Sequence, residues 1–487
     1  MPQPENSLRR FLPAATLDMA KRQARDSKEL FLFQSKRIGV NHLNHRFSVL
    51  ICVLGCTASS LPAQLGAYLG PGVLSRGAGD VGTRSGQQVD LRFYGDVSGV
   101  YDTGLQPFAL DSKGNLITIN GLYGIVADVG AYGTHSWRQA ALGLDYAGNF
   151  THYTNGSFYD NTNQNLRLGY TYQKSRRVSF DFRENAGISK FGYGSPGFYT
   201  TTASPTDFVT TPTALLFDNR FYYFQTTMDM SYLQSARTIY TVGGDGFWVR
   251  RQASGLAGTN GYNLRGSVQH RVTKRQTIGG TYQHLHFDFP PAFGQSDVDV
   301  GELFLATGIG RRWTLSVSAG ALLAQIQGIE QVALDPVLSA LFGTGFSERA
   351  FFLKTVSPSG RAALEGHFKS SSVAFSYAQQ IVPGNGVYLT SVQKGGSASY
   401  SYNGIRNWSL GLSGGYMGLK SLGQGIQPYN GATGAFSATY RLTGALHAVA
   451  RFEARNQQIE VVGYKHTGYR ATIGLAFSPG DLPLSLW

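Results

Sequence analysis

The chain has 487 residues, 62 of them glycine, with 13% aromatic and only 15% charged residues and a formal net charge of +13. No apolar run reaches the ~18 residues of a transmembrane helix, which excludes a helical membrane protein. The basic residues stand singly or in turn pairs rather than in a patch, which excludes a nucleic-acid interface.

Residues 1–63 read as an N-terminal extension and leader. Residues 1–46 are charged and aperiodic, and His45-Arg46 then precedes the apolar run Phe47 to Cys56. Small residues follow through Ala58-Ser59-Ser60 to Ala63. This basic, apolar and small-residue order resembles a secretory signal peptide cleaved after Ala63, with Val40 an alternative initiation point. Val53-Leu54-Gly55-Cys56 also resembles a lipobox, which would make Cys56 a lipidation candidate. Both cysteines, Cys52 and Cys56, lie in this leader, so cleavage leaves no disulfide framework and no thiolate metal site. The leader holds nine basic and four acidic residues, leaving the remainder about +8. Residues 64–88 are Gly-rich and form an irregular segment.

From Val89 the chain alternates apolar and polar residues with period two, the signature of strands with two different faces. Val89, Leu91, Phe93, Val97 and Tyr101 oppose Asp90, Arg92, Asp96 and Ser98. Tyr123 to Ala131 and Leu142 to Phe150 give the next two strands, with a turn at Thr134-His135-Ser136. Short polar turns then follow at Ser175-Arg176-Arg177, Gln234-Ser235-Ala236, Thr273-Lys274-Arg275, Gly310-Arg311-Arg312, Ser370-Ser371, Asn403 to Asn407 and Thr443-Gly444. Longer connections lie between them, at 193–219, 253–260, 290–296, 328–358, 383–386, 421–431 and 457–463. The last strand, Tyr469 to Phe477, sets Tyr469, Ala471, Ile473, Leu475 and Phe477 against Arg470, Thr472, Gly474 and Ala476.

Apolar residues on one face, small polar residues on the other and aromatics at both ends suit a strand with lipid outside and water inside. Alternating short and long connections put all tight turns at one end. The predicted fold is all-β: a transmembrane up-and-down antiparallel β-barrel of about 18 strands, within 16–20, over residues 89–477. Residues 478–487 form a C-terminal tail. In pattern and topology the chain resembles a Gram-negative outer-membrane β-barrel of porin-like size. That resemblance implies the cell outer membrane, contact with its lipid and lipopolysaccharide, and insertion by the barrel-assembly machinery. It also implies a passive channel for small hydrophilic solutes. Two alternatives are a barrel for export or assembly of an envelope polysaccharide and a structural or adhesive barrel with a plugged lumen.

The parity of each strand assigns Arg92, Arg183, Arg265, Glu365, Arg451, Glu453, Arg455 and Arg470 to the pore lining. A small excess of arginine there predicts weak anion selectivity. The apolar stretch Val332 to Phe342, in the longest connection, is expected to fold inward and narrow the lumen. His284, His286 and Asp288 share one strand face and are the weak metal candidates. At ~7 Å between successive members, they would need ligands from a partner strand. No Gly-x-Ser-x-Gly elbow falls in a strand–helix setting, so no catalytic residue, metal or cofactor is assigned.

Overall fold

In a computed structural model the described residues run from 92 to 477, except 104–120, 155–159, 190–219, 253–255, 334–345, 385, 387, 424–425, 427 and 460–463. The leader, the 64–88 segment, the tail and the 193–219 connection fall outside them.

Eighteen strands follow one another in chain order. They are β1 (Arg92–Asp102), β2 (Leu122–Ser136), β3 (Ala140–Tyr153), β4 (Asn161–Gln173), β5 (Val178–Ser189) and β6 (Phe221–Leu233). Next come β7 (Thr238–Arg251), β8 (Thr259–Arg271), β9 (Gln276–Phe289), β10 (Gly294–Ile309), β11 (Trp313–Ala333) and β12 (Phe346–His367). The last are β13 (Ser371–Val382), β14 (Ser391–Tyr402), β15 (Trp408–Ser421), β16 (Tyr429–Arg441), β17 (Leu446–Ile459) and β18 (Tyr464–Phe477). Each pairs antiparallel with its chain neighbours, and β1 pairs with β18, so the sheet closes. Closure leaves no edge at the seam and satisfies the backbone within the sheet, as lipid requires.

The two faces separate as alternation demands. On β18, Ile473 (73% exposed), Leu475 and Phe477 point out, while Arg470 and Ala476 are buried. Outward aromatics mark two levels. On β6 they are Tyr232 near the short-turn end and Tyr222 near the long-loop end. Ten residues at ~3.3 Å each, on a strand tilted ~40°, span ~25 Å, the height of an outer-membrane apolar band. Within that band Glu184 also faces outward, and its carboxylate is held by the Thr226 hydroxyl at 3.0 and 2.8 Å. The chain is a transmembrane β-barrel of the outer-membrane type.

Because Ile473 lies near mid-band, Ile473→Arg should destabilise the folded barrel by ~2–4 kcal/mol. Thr472 instead shares an inward cavity with Asp96, Asp128 and Glu453, where a guanidinium finds carboxylates. Thr472→Arg should therefore cost little. Urea titration in lipid vesicles compares the two, and equal losses would contradict the faces.

Three expectations change. Thr134-His135-Ser136 is not a turn: β2 continues to Ser136, and residues 137–139 make the reversal. Most of the supposed 328–358 loop is strand, since β11 and β12 pair without a break from Trp313↔Gly366 to Ala333↔Phe346. Both faces of this extension carry large apolar side chains, with Phe352 fully out and Phe351 partly buried, so clean alternation is lost. Leu334 to Phe342, the core of the expected constriction, lies outside the described residues. The inward fold found among the described residues comes from a different connection.

Candidate functional site

β13 pairs with β12 only from Ser372 to Gln379. Above that it keeps its partner β14 as far as Val382↔Ser391, and β14 keeps β15 as far as Ser391↔Ser421. The break falls at Pro358 of β12. Proline has no N–H to give a ladder, which confines it to strand edges. Its carbonyl accepts instead from the Gln379 side chain at 2.8 Å.

Beyond the break the tip of the β13–β14 hairpin turns into the barrel. Its sequence loses alternation at Gln380-Ile381-Val382, and a segment apolar on both faces buries both. Ile381 and its cross-strand partner Val392 pack in one cluster with Phe247, Leu285, Phe287, Val298 and Leu322 from the inner wall of β7, β9, β10 and β11. Val382 and Tyr388 pack on the other side against Met417 and Leu419 of β15 and Tyr429 of β16. The tip also reaches polar groups of the β7–β8 connection and of β10. Gly386 O accepts from Ala257 N at 3.1 Å, and the Thr390 hydroxyl meets Ser296 of β10. Two glycines allow the reversal. Gly384 has φ +70° and Gly386 has φ +94°, and a Cβ at Gly384 would collide with the Tyr388 and Leu389 carbonyls. This flap occupies the long-loop half of the lumen.

Below the flap a belt of paired charges lines β5 to β8. Asp229 accepts from Arg265 through Nε at 3.0 Å and Nη2 at 2.7 Å, and from Arg183 Nη2 at 3.0 Å. Arg183 Nε also lies 2.7 Å from Asp181. Arg265 Nη1 donates to Asp245 at 2.8 Å, and Asn263 donates to the same oxygen at 3.1 Å. Asp229 and Arg265 are two strands apart, in one row with Gly243 between them. Glycine is needed there because a Cβ would strike the Asp229 carboxylate.

The belt continues across the closing seam. Arg451 Nε lies 2.6 Å from Glu453. Arg470 stands in register between Glu453 and Asp102, so carboxylates flank it on both neighbouring strands. Asp102 accepts from the Tyr153 hydroxyl at 3.0 Å, and Asp128 from Asn149 at 2.5 Å. Arg167 lies 3.8 Å from Asp145 on the strands between. On the other arc Glu302 is held by Ser318 at 2.9 Å and by Ser359. The inner wall there is rich in serine near the short turns, as in the Ser372–Ser401 pair at 2.7 Å.

Arg183, Arg265, Glu365, Arg451, Glu453, Arg455 and Arg470 all fall on the inward face. Arg92 opens β1 in register with Tyr132. Glu365 stands apart from the belt, 3.7 Å from His367 near the short turns. Sequence reading missed the inward carboxylates Asp102, Asp128, Asp145, Asp229, Asp245 and Glu302. All but Glu302 lie on the parity opposite their strand's apolar series, as in Met228-Asp229-Met230, whereas Glu302 shares its parity with Val298 and Val300. Their presence removes the arginine excess on which anion selectivity rested.

His284, His286 and Asp288 are not in the lumen, because their parity on β9 is that of the exposed Ile278 and Tyr282. His284 Nδ1 lies 2.9 Å from Asp299, and His286 Nδ1 lies 2.7 Å from Asp297. Tyr262 stacks on His286 with centroids 5.1 Å apart. Each imidazole has its own carboxylate and the two share none. Among the described residues no group of three or more metal-ligating side chains converges.

No family model and no curated protein matches the chain. Among solved structures it is similar to the ferric citrate transporter FecA in its unliganded form, at 12% identity and a TM-score of 0.41, over 82% of this chain and 65% of that one. It is also similar to Pseudomonas aeruginosa OccK2 (OpdF) in complex with glucuronate, at 9% identity and a TM-score of 0.39, over 80% and 98%. Acinetobacter baumannii OccAB1 gives 8% identity and a TM-score of 0.37, over 80% and 96%. The chain thus spans about two thirds of the length of the ferric citrate transporter, 65%.

Proposed function

We propose that this outer-membrane barrel is a channel for passive diffusion or uptake of small hydrophilic solutes, narrowed at its long-loop half by the β13–β14 flap. The supporting observation is the inward belt of fixed, mutually paired charges, set against an apolar outer band. A purely structural barrel has no need to line its interior with so many ion pairs, each of which costs desolvation to assemble. The lining in this reading includes Arg183, Arg265, Arg451, Glu453, Arg455 and Arg470, with Glu365 nearer the short turns, and Arg92, at the start of β1, is assigned to it by sequence parity. No residue takes a catalytic role in this reading.

Rings of one charge sign make a pore selective for ions. Here acid and base alternate, so their fields largely cancel beyond the ~8 Å screening length of physiological salt. The expected result in a planar bilayer is a stable conductance whose reversal potential under a salt gradient stays near zero. A strong preference for either ion sign would contradict the compensated belt. Absence of any conductance would replace the channel with a plugged structural barrel, the reading that the flap itself favours.

A further inference from the structure

The cavity at the closing seam combines three kinds of chemistry. It lies between β1, β2, β17 and β18, where the first strands meet the last. Asp96, Asp128 and Glu453 supply acceptors. Arg451 and Arg470 supply donors, the Thr472 hydroxyl can donate or accept, and the Ser98 hydroxyl, whose proton goes to Asp96, accepts. Val126 and Val449, 4% and 8% exposed, bring an apolar surface into this polar setting. The polar groups are held in place. Ser98 Oγ donates to Asp96 at 2.7 Å, Asn149 fixes Asp128, and Arg451 fixes Glu453.

Resting on the channel reading, the geometry points to this cavity as a binding subsite for a neutral polyhydroxylated solute, a sugar ring. Such a ring has C–H groups on its faces and hydroxyls around its edge, each hydroxyl both donor and acceptor. Two valines match the first, and interleaved carboxylates, guanidiniums and hydroxyls match the second. A metal cation is disfavoured by two guanidiniums in the wall. An anion meets three carboxylates, and an organic cation meets both arginines. A neutral polyol meets none of these repulsions, since the polar wall groups are partners for its hydroxyls and the two valines for its C–H face.

Saturation-transfer NMR on the full-length folded barrel in detergent tests this, with glucose, glucuronate and glucosamine as probes. Glucose should receive saturation, most strongly at the C–H groups of one ring face. Glu453→Gln should weaken glucose roughly tenfold, the loss of one charge-assisted hydrogen bond. Val449→Thr, which keeps shape but replaces a methyl with a hydroxyl, should redistribute saturation away from the C–H face. Asp297→Asn, on the outward face of β10 where it meets His286, should leave binding unchanged. Each variant is first shown to be folded by its heat-modifiable migration in SDS gels.

No transfer to glucose, or much stronger transfer to either charged sugar, overturns the proposal. So does loss of binding in Asp297→Asn equal to that in Glu453→Gln. Bilayer conductance judges the channel separately. Conductance without glucose binding removes the subsite alone, whereas binding without conductance leaves the subsite and removes the channel.

Discussion

Ile381→Asp should open the pore. Ile381 is fully buried between the flap and the inner wall, on the face that meets Leu322 and Phe287. An unpaired carboxylate placed there costs several kcal/mol, and loss of the isoleucine contacts alone costs about 2–5 kcal/mol. The β13–β14 tip is the element that moves to relieve it, because above Gln379 it has left the β12 ladder and its remaining ladder to the wall is β14–β15, which reaches Ser391↔Ser421. Single-channel conductance should rise several-fold, while Ile381→Leu should stay near the parent value. Unchanged conductance in a correctly folded Ile381→Asp barrel would show that the flap does not lie in the conduction path.

Removal of Asp229 should give the largest loss of stability among single changes in the belt. Its side chain and that of Arg265 are 11% and 7% exposed, and it also anchors Arg183. Asp229→Ala leaves two guanidiniums without this partner, for a cost of about 3–5 kcal/mol. Asp229→Leu combined with Arg265→Met and Asp245→Asn should recover most of that, because the apolar pair needs no counter-charge and Asp245, which would otherwise lose its arginine, is neutralised. Urea unfolding of the reconstituted barrel measures both. If this triple variant is as unstable as Asp229→Ala, the pair is not the energetic unit that its geometry suggests. In bilayers Asp229→Ala should also move the reversal potential toward anions.

How far such features could be read from sequence depends on how local they are. The alternation of Tyr469 to Phe477 lies within one strand, and it gave the faces of Arg470 and Ile473 directly. Parity likewise placed Arg451, Glu453 and Arg455 on one inward row. The Asp229–Arg265 contact could not be read, because it depends on the register of β6, β7 and β8 and on Gly243 being absent as a side chain. The flap was hidden for a related reason. Gln380-Ile381-Val382 reads as a slightly irregular strand end, and only the apolar inner wall some 60 to 130 residues earlier in the chain explains its burial. The β11–β12 extension was misread as a loop because Phe351 and Phe352 fill both parities there.

The seam between β1 and β18 pairs Gly95 with Phe477 and Asp102 with Arg470. Every other ladder joins strands adjacent in the chain, so this one alone requires its two ends to meet across nearly the whole described polypeptide. Loop-closure entropy and search time both grow with that separation. Hairpins can zip progressively from β1 toward β17, but the sheet stays open until β18 is available. Until then two long backbone edges stand unpaired. The rate at which the protein reaches its working form should therefore be set by a single late event at Tyr469 to Phe477. Trimming that strand should leave most of the sheet formed yet trap it as an unsealed, aggregation-prone ribbon.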